Sequence, residues 1–116
     1  MIATRVFSNA QEKQVAKVTL GKKQANSGAT AFDKGDVVTE DFCIECKTQT
    51  TEKVSMSIKK EWITKLKQEA FGIGKSHWAI AFNFGGLGNK ENFFIIGEKE
   101  FQDLQEFYRK EENDND

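Results

Sequence analysis

A short and almost wholly apolar run, His77–Phe84, constrains the fold of this chain more than any other feature. Its large residues alternate with small ones, in the order Trp78, Ala79, Ile80, Ala81 and Phe82. A run of this length that is apolar on both sides is typical of a β-strand buried on both faces. We therefore expect a β-sheet that is covered above and below at this strand.

The chain before this strand predicts a β-hairpin. Two β-rich runs, Asp36–Thr39 and Phe42–Lys47, are separated only by Glu40 and Asp41, which favours a tight turn. Alternate residues of a strand point to opposite faces. Cys43, Glu45 and Lys47 should therefore share one face of the second strand, and Phe42, Ile44 and Cys46 the other.

Helices are predicted on both sides of the hairpin in the sequence. Ile58, Trp62, Leu66 and Ala70 recur every four residues among lysines, which is the pattern of an amphipathic helix that ends before Gly72. An earlier helix is expected from about Ala10 to Leu20, and a final one around Phe101, Leu104, Phe107 and Tyr108. Short strands are expected at Ala29–Phe32 and Phe93–Ile96. The predicted fold is α/β with a mixed α+β sheet, in the order α-β-β-β-α-β-β-α.

The length of 116 residues is typical of one domain, so residues 1–116 are expected to share a single core. Residues 110–116 end in an acidic, polar sequence that predicts a flexible tail. The amino terminus lacks the apolar core of a signal peptide, and the sequence contains no run long enough to cross a bilayer. We therefore expect a soluble protein in the cytoplasm, without a membrane partner.

The charge is unevenly distributed along the chain. Residues 1–96 carry 14 basic and 10 acidic side chains, whereas residues 97–116 carry 3 basic and 8 acidic ones. Although the net charge of the whole chain is −1, residues 1–96 carry an excess of positive charge and could face a polyanion. Lys22 and Lys23 open a polar, basic loop that continues through Ser27, and they are either phosphate contacts or ordinary solvated lysines.

The two cysteines and the one histidine suggest no site of their own. Cys43 and Cys46 lie three residues apart on a predicted strand, so they point to opposite faces and cannot chelate one metal ion. His77 has no evident partner and is not expected to be catalytic. Trp62 and Trp78 fall on apolar periodic positions and are expected in the core rather than as platforms for stacked bases.

One group of charged residues carries a chemical prediction. The hairpin should bring Asp36, at the start of its first strand, beside Glu45 and Lys47 on its second. Two carboxylates are hard oxygen ligands suited to Mg²⁺, and a nearby ammonium can orient water or offset negative charge. Together they suit the hydrolysis of a phosphodiester bond.

Each of these residues also has a simpler explanation. Asp41 competes with Asp36 for the metal, although Asp is favoured in a hairpin turn for geometry alone. Glu45 and Lys47 could be an exposed pair on one face of a half-solvated sheet. A further acidic residue, Glu12, belongs to the predicted first helix. It could serve only to interact with the helix dipole near the start of that helix, without any part in chemistry.

The segments Gly35-Asp36-Val37 and Ile44-Glu45-Cys46-Lys47, with a helix before them and a helix and buried strand after them, resemble the PD-(D/E)xK nuclease superfamily. The resemblance covers most of residues 10–97, and Gly35 stands where the motif often has Pro. It implies a restriction-endonuclease-like core. The small size and the Ser27-Gly28-Ala29 stretch look most like archaeal and phage Holliday junction resolvases.

The resemblance also implies roles for individual residues. Asp36, Glu45 and the backbone carbonyl of Cys46 would bind Mg²⁺, with Mn²⁺ as a substitute, and Lys47 would position the attacking water. Glu12 would be the acidic residue of the first helix, and Ser27 would lie near the scissile phosphate. The implied function is a DNA endonuclease that resolves four-way junctions as a homodimer. A restriction-like or nicking nuclease on duplex DNA, and a non-catalytic DNA-binding protein of the same fold, remain alternatives.

Overall fold

The computed structural model of the protein describes residues 4–24, 35–86 and 91–114, which form a mixed α+β fold. The predicted fold class is confirmed at this level. The described elements are, in chain order, α1 Thr4–Thr19, β1 Lys22–Lys23, β2 Val37–Val38, β3 Phe42–Lys47, α2 Lys60–Gly72, β4 His77–Phe82, β5 Phe93–Ile95 and α3 Glu98–Asp114.

The strands form one five-stranded sheet in the spatial order β1-β2-β3-β4-β5. Neighbouring strands are antiparallel except β3 and β4, which are parallel. Two parallel neighbours need a crossover connection, and α2 supplies it. The predicted hairpin is present as β2 and β3, in a register that pairs Val37 with Ile44.

Two apolar clusters cover the sheet, one on each face. On the α1 face the buried residues are Val15, Val37, Ile44, Ala79 and Ala81. On the α2 face they are Cys43, Leu66, Ala70, Trp78 and Ile80. β4 contributes alternate residues to both clusters, so the prediction of a strand buried on both faces is confirmed.

The amphipathic pattern of α2 is also confirmed, because Leu66 and Ala70 are its buried residues and lie one turn apart. The helix begins later than the spacing predicts, at Lys60, so that Ile58 precedes it and is exposed. The helix ends at Gly72, and Gly74 then adopts a φ of 75°, which favours glycine.

The first helix is longer than expected, since α1 begins at Thr4 rather than near Ala10. The helix ends at Thr19, because Leu20 adopts a φ of 58°; at the next residue, Gly21, a Cβ atom would lie 2.9 Å from Cγ1 of Val37. This close approach lets the chain leave α1 and run directly alongside β2.

The loop predicted at Lys22 and Lys23 is wrong, because these residues form β1 and pair with Val38 and Val37 of β2. Lysine has little strand preference, so pairing with β2 rather than local propensity explains the strand. The strand expected at Ala29–Phe32, and Ser27 with it, lie outside the described residues.

The final helix α3 extends beyond the predicted apolar positions and continues through the acidic tail to Asp114. Its one buried residue is Glu100, while Phe101, Leu104, Phe107 and Tyr108 are all exposed. Of the three helices in the described ranges, none has the length and apolar character needed to cross a membrane.

Candidate active site

Asp36 is fixed at the start of β2 by hydrogen bonds to the neighbouring strand. Its amide donates to the carbonyl oxygen of Ile44 at 2.9 Å, and its Oδ2 accepts a hydrogen bond from the amide of Cys46 at 2.8 Å. The carboxylate therefore lies against the backbone of β3, at the peptide between Glu45 and Cys46.

Gly35 explains why the residue before Asp36 is not proline. Its φ is 76°, and a Cβ atom there would lie 2.7 Å from Sγ of Cys43. Proline holds φ near −65°, so it cannot adopt this conformation. Glycine at position 35 thus allows the close approach of the chain to β3 that brings Asp36 to Cys46.

Glu45 and Lys47 share the α2 face of β3, as the alternation predicts. Oε1 of Glu45 lies 3.7 Å from Nζ of Lys47, and the two side chains are 29% and 30% exposed. The register that pairs Val37 with Ile44 continues to bring Asp36 opposite Glu45. The three predicted site residues therefore lie together at the carboxyl-terminal end of β3.

Burial and a neighbouring negative charge act together on Glu45. Partial burial of its carboxyl group, and then the charge of Asp36, raise the pKa of Glu45 to about 7, although the ammonium of Lys47 opposes the change. Two carboxylates are thus held close together in a partly dry environment. A bound cation would relieve their repulsion.

Glu12, on α1, is also influenced by the charge of Asp36. Its side chain is 12% exposed, and burial followed by the charge of Asp36 raises its pKa. Nζ of Lys23 lies 4.0 Å from its Oε1 and donates to Oδ1 of Asn9 at 3.1 Å. Glu12, the acidic residue expected on the first helix, is therefore close enough to Asp36 for the charge of Asp36 to affect its pKa.

A buried glutamine, Gln11, fixes α1 against the site. Nε2 of Gln11 donates to the carbonyl oxygens of Lys47 and Ala81, at 2.9 and 3.2 Å. Gln11 precedes Glu12, so these bonds tie the position of Glu12 to the ends of β3 and β4. Its isolated position in a polar stretch of sequence left no signal of this role.

A cleft of about 450 Å³ opens beside Glu45 and Lys47, between β3 and α2. The helix contributes Glu61, Trp62, Lys65, Leu66 and Glu69 to its wall. Trp62 was expected in the core, and it does pack partly against the α2-face cluster, but its ring also faces Lys47 at 4.4 Å from Nζ to the ring centroid. Four-residue spacing places Trp62 on the apolar side of α2, but its contact with Lys47 depends on where the helix crosses the sheet.

The cysteines occupy opposite faces of β3, as predicted. Cys43 is buried in the α2-face cluster, and Cys46 packs against the α1-face cluster. Burial raises the pKa of Cys43 to about 12 and raises that of Cys46 as well, so both thiols stay protonated at neutral pH. The Cys46 side chain lies on the face opposite Glu45, so Cys46 could serve a cation beside Glu45 only through its backbone.

Metal binding by side chains alone is not evident in the part of the chain that the structure describes, where no group of three or more His, Cys, Asp or Glu residues could hold an ion. The predicted set is smaller, with the carboxylates of Asp36 and Glu45 and the carbonyl of Cys46. All three are hard oxygen donors, which fits Mg²⁺ with water and phosphate as its other ligands.

The two lysines predicted to contact DNA differ in their surroundings. Lys22 is exposed, whereas Lys23 is engaged with Asn9 and Glu12 on α1. Asp41, the competitor for the metal, is exposed in the hairpin turn at the opposite end of β3 from Lys47.

The expectation that His77 has no partner is wrong. Its Nδ1 lies 3.3 Å from Oε2 of Glu100 and its Nε2 lies 3.5 Å from Oδ2 of Asp103, both on α3. His77 pairs with Phe42 at the amino-terminal end of β3, away from Lys47. The carboxylates follow it by more than 20 residues, so no local pattern could have revealed the contact.

Comparison of the chain with protein-family models, with curated proteins and with solved structures found no match in any of the three. The case for a function therefore depends on the geometry of Asp36, Glu45 and Lys47 and on the chemistry that these groups can perform.

Proposed function

We propose that the protein is a metal-dependent DNA endonuclease with a restriction-endonuclease-like core of the PD-(D/E)xK kind. The observation that carries the proposal is the meeting of Asp36, Glu45 and Lys47 at one end of the β2–β3 hairpin. The carboxylate of Asp36 is held at the amide of Cys46, and the ammonium of Lys47 lies 3.7 Å from Glu45.

Asp36, Glu45 and the carbonyl oxygen of Cys46 would hold Mg²⁺, and Mn²⁺ can take its place. When bound, the ion would offset negative charge on the phosphate and make a bound water more acidic. The proposal is supported by the raised pKa of Glu45, because burial and the charge of Asp36 leave a site that gains by binding a cation.

The side chains of the protein supply the remaining functions. Lys47 orients the attacking water and offsets the charge that develops on the phosphate in the transition state. Glu12, whose pKa is raised by burial and by Asp36, is available to accept a proton or to hold water at the α1 side of the site. Gln11 maintains the distance between α1 and the ends of β3 and β4.

The proposed substrate is branched DNA, in particular a four-way junction, cut by a homodimer in the cytoplasm of the cell or, for a phage-encoded protein, of the host. Resolution of a junction needs two symmetric cuts, which two copies related by a twofold axis provide. Support for self-association comes from α3, where Phe101, Leu104 and Phe107 remain exposed on one side of the helix. Lys22, which is exposed, would contact the phosphates, and Ser27 remains a predicted contact.

The experiment compares binding and cleavage of a four-way junction and a duplex of matched sequence, with Mg²⁺, with Mn²⁺ and with excess EDTA. We expect cleavage of the junction that requires either ion, and a dimer by light scattering. Asp36→Ala and Glu45→Ala should abolish cleavage and retain binding, while Asp41→Ala should cut normally. Full cleavage in EDTA, or a dead Asp41→Ala with an active Asp36→Ala, would refute the assignment.

A further inference from the structure

The contacts of the Lys47 ammonium suggest a role for Trp62. Nζ of Lys47 lies 3.7 Å from Oε1 of Glu45 and 4.4 Å from the centroid of the Trp62 ring. A charged hydrogen bond between an ammonium and a carboxylate is about 2.8 Å long. The contact with Glu45 is looser than this, and a lysine side chain has four flexible carbons, so Glu45 by itself does not fix where the ammonium points.

The indole ring is a firm support for a cation. Trp62 lies in the first turn of α2, where it packs against the cluster that contains Leu66 and Ala70. These apolar contacts hold the ring against the helix, so it is less mobile than a side chain in solvent. A cation is attracted to the face of an indole when it lies within about 6 Å of the ring centroid, and the attraction is strongest for tryptophan. Lys47 is well inside this limit.

A second lysine, Lys59, lies near the same ring but farther from it than Lys47. Nζ of Lys59 lies 6.0 Å from the Trp62 centroid, at the outer limit of the interaction. Lys59 is exposed beside the start of α2, whereas Lys47 extends into the cleft from the same strand face as Glu45. The ring therefore attracts Lys47, which lines the cleft, more strongly than it attracts Lys59.

We propose that Trp62 is a positioning residue for Lys47. Its ring holds the ammonium inside the cleft by a contact that does not depend on the charge of Glu45, and so keeps the ammonium directed at the bond to be cut when that carboxylate is engaged elsewhere. The inference rests on the proposed nuclease function for its effect on rate, but the contact itself can be measured in the protein alone. Loss of the ring should lower the rate of the chemical step and leave substrate affinity unchanged.

The test uses Trp62→Phe, which keeps an aromatic face, and Trp62→Leu, which keeps only apolar bulk. Ile63→Ala is the matched control, because Ile63 packs against the same cluster from the same helix but does not line the cleft. The first readout is the ¹H–¹³C NMR signal of the Lys47 side-chain CH₂ group next to the ammonium, which a ring face shifts upfield. The second is the single-turnover rate and the affinity for a four-way junction.

We expect an upfield Lys47 signal in the parental protein, a smaller shift in Trp62→Phe, and no shift in Trp62→Leu. The cleavage rate should fall about tenfold in Trp62→Leu, with a partial loss in Trp62→Phe and unchanged affinity. Ile63→Ala should be less stable but should cut at the parental rate when folded. Equal Lys47 signals in the parental and Trp62→Leu proteins would overturn the inference, as would an equal loss of rate in folded Ile63→Ala. An inactive parental protein with the upfield signal would refute the nuclease function but not the contact.

Discussion

Replacement of Glu45 by glutamine should stabilise the protein at alkaline pH when no metal is present. Glutamine has nearly the shape of a protonated glutamate but cannot ionise. Burial and the charge of Asp36 raise the pKa of Glu45 from 4.5 to about 7, so the folded protein holds this proton more tightly than the unfolded chain does. The stability from the bound proton is fully present below pH 4.5 and is lost as the pH rises through 7.

The size of the effect follows from the change in pKa. One pKa unit corresponds to about 1.4 kcal/mol, so a rise from 4.5 to about 7 corresponds to about 3 kcal/mol. The free energies of unfolding of Glu45→Gln and of the parental protein should therefore be nearly equal at pH 4.5. At pH 8.5 the variant should be more stable by about 3 kcal/mol.

The assay is urea denaturation in excess EDTA at these two pH values, followed by circular dichroism. Glu61→Gln is the matched control, because Glu61 lines the same cleft but is exposed. Its effect should stay within about 0.5 kcal/mol at both pH values, as for most surface substitutions. A stability difference between Glu45→Gln and the parental protein that does not grow between pH 4.5 and 8.5 would refute the electrostatic account of the site.

Three further outcomes are expected. Asp36→Asn should lower the pKa of Glu45 and of Glu12, measured by NMR titration of their carboxyl carbons, because the charge of Asp36 raises both. Gly85→Ala should cost about 2 kcal/mol or more in urea denaturation, since φ is 82° and a Cβ would lie 2.5 Å from Cβ of Gln49, whereas Gly72→Ala meets no atom within 4 Å and should be tolerated. Removal of residues 110–116 should leave DNA affinity unchanged or higher, in a salt titration of binding, because it removes acidic charge.

The parts of the fold that the sequence predicts are those set by local patterns. The hairpin at residues 36–47 and the buried strand β4 follow from alternation and apolar composition, and α2 follows from four-residue spacing. β1 could not be predicted in this way, because Lys22 and Lys23 become a strand only by pairing with β2. The link from His77 to Glu100 joins segments far apart in the chain and also depends on the folded structure.

The same distinction applies to the candidate site: some of its residues follow from local sequence patterns, and others depend on the folded structure. Glu45 and Lys47 share a face because they are two residues apart on a strand, and the hairpin brings Asp36 beside them. The contribution of Trp62 depends on where α2 crosses the sheet, and four-residue spacing alone assigned it to the core. Gln11 was missed because a buried amide has no sequence pattern of its own.

The exposure of α3 has a consequence for its dynamics. The helix has 17 residues, and a helix of this length is only marginally stable in water without packing. Since Glu100 is its one buried residue, the amide hydrogens beyond Phe101 should exchange with solvent far faster than those of α2, whose Leu66 and Ala70 are buried. Any partner that covers Leu104 and Phe107 would slow this exchange. Hydrogen exchange along α3 would therefore report the occupancy of its apolar face, residue by residue, even for a partner that binds too weakly to be isolated.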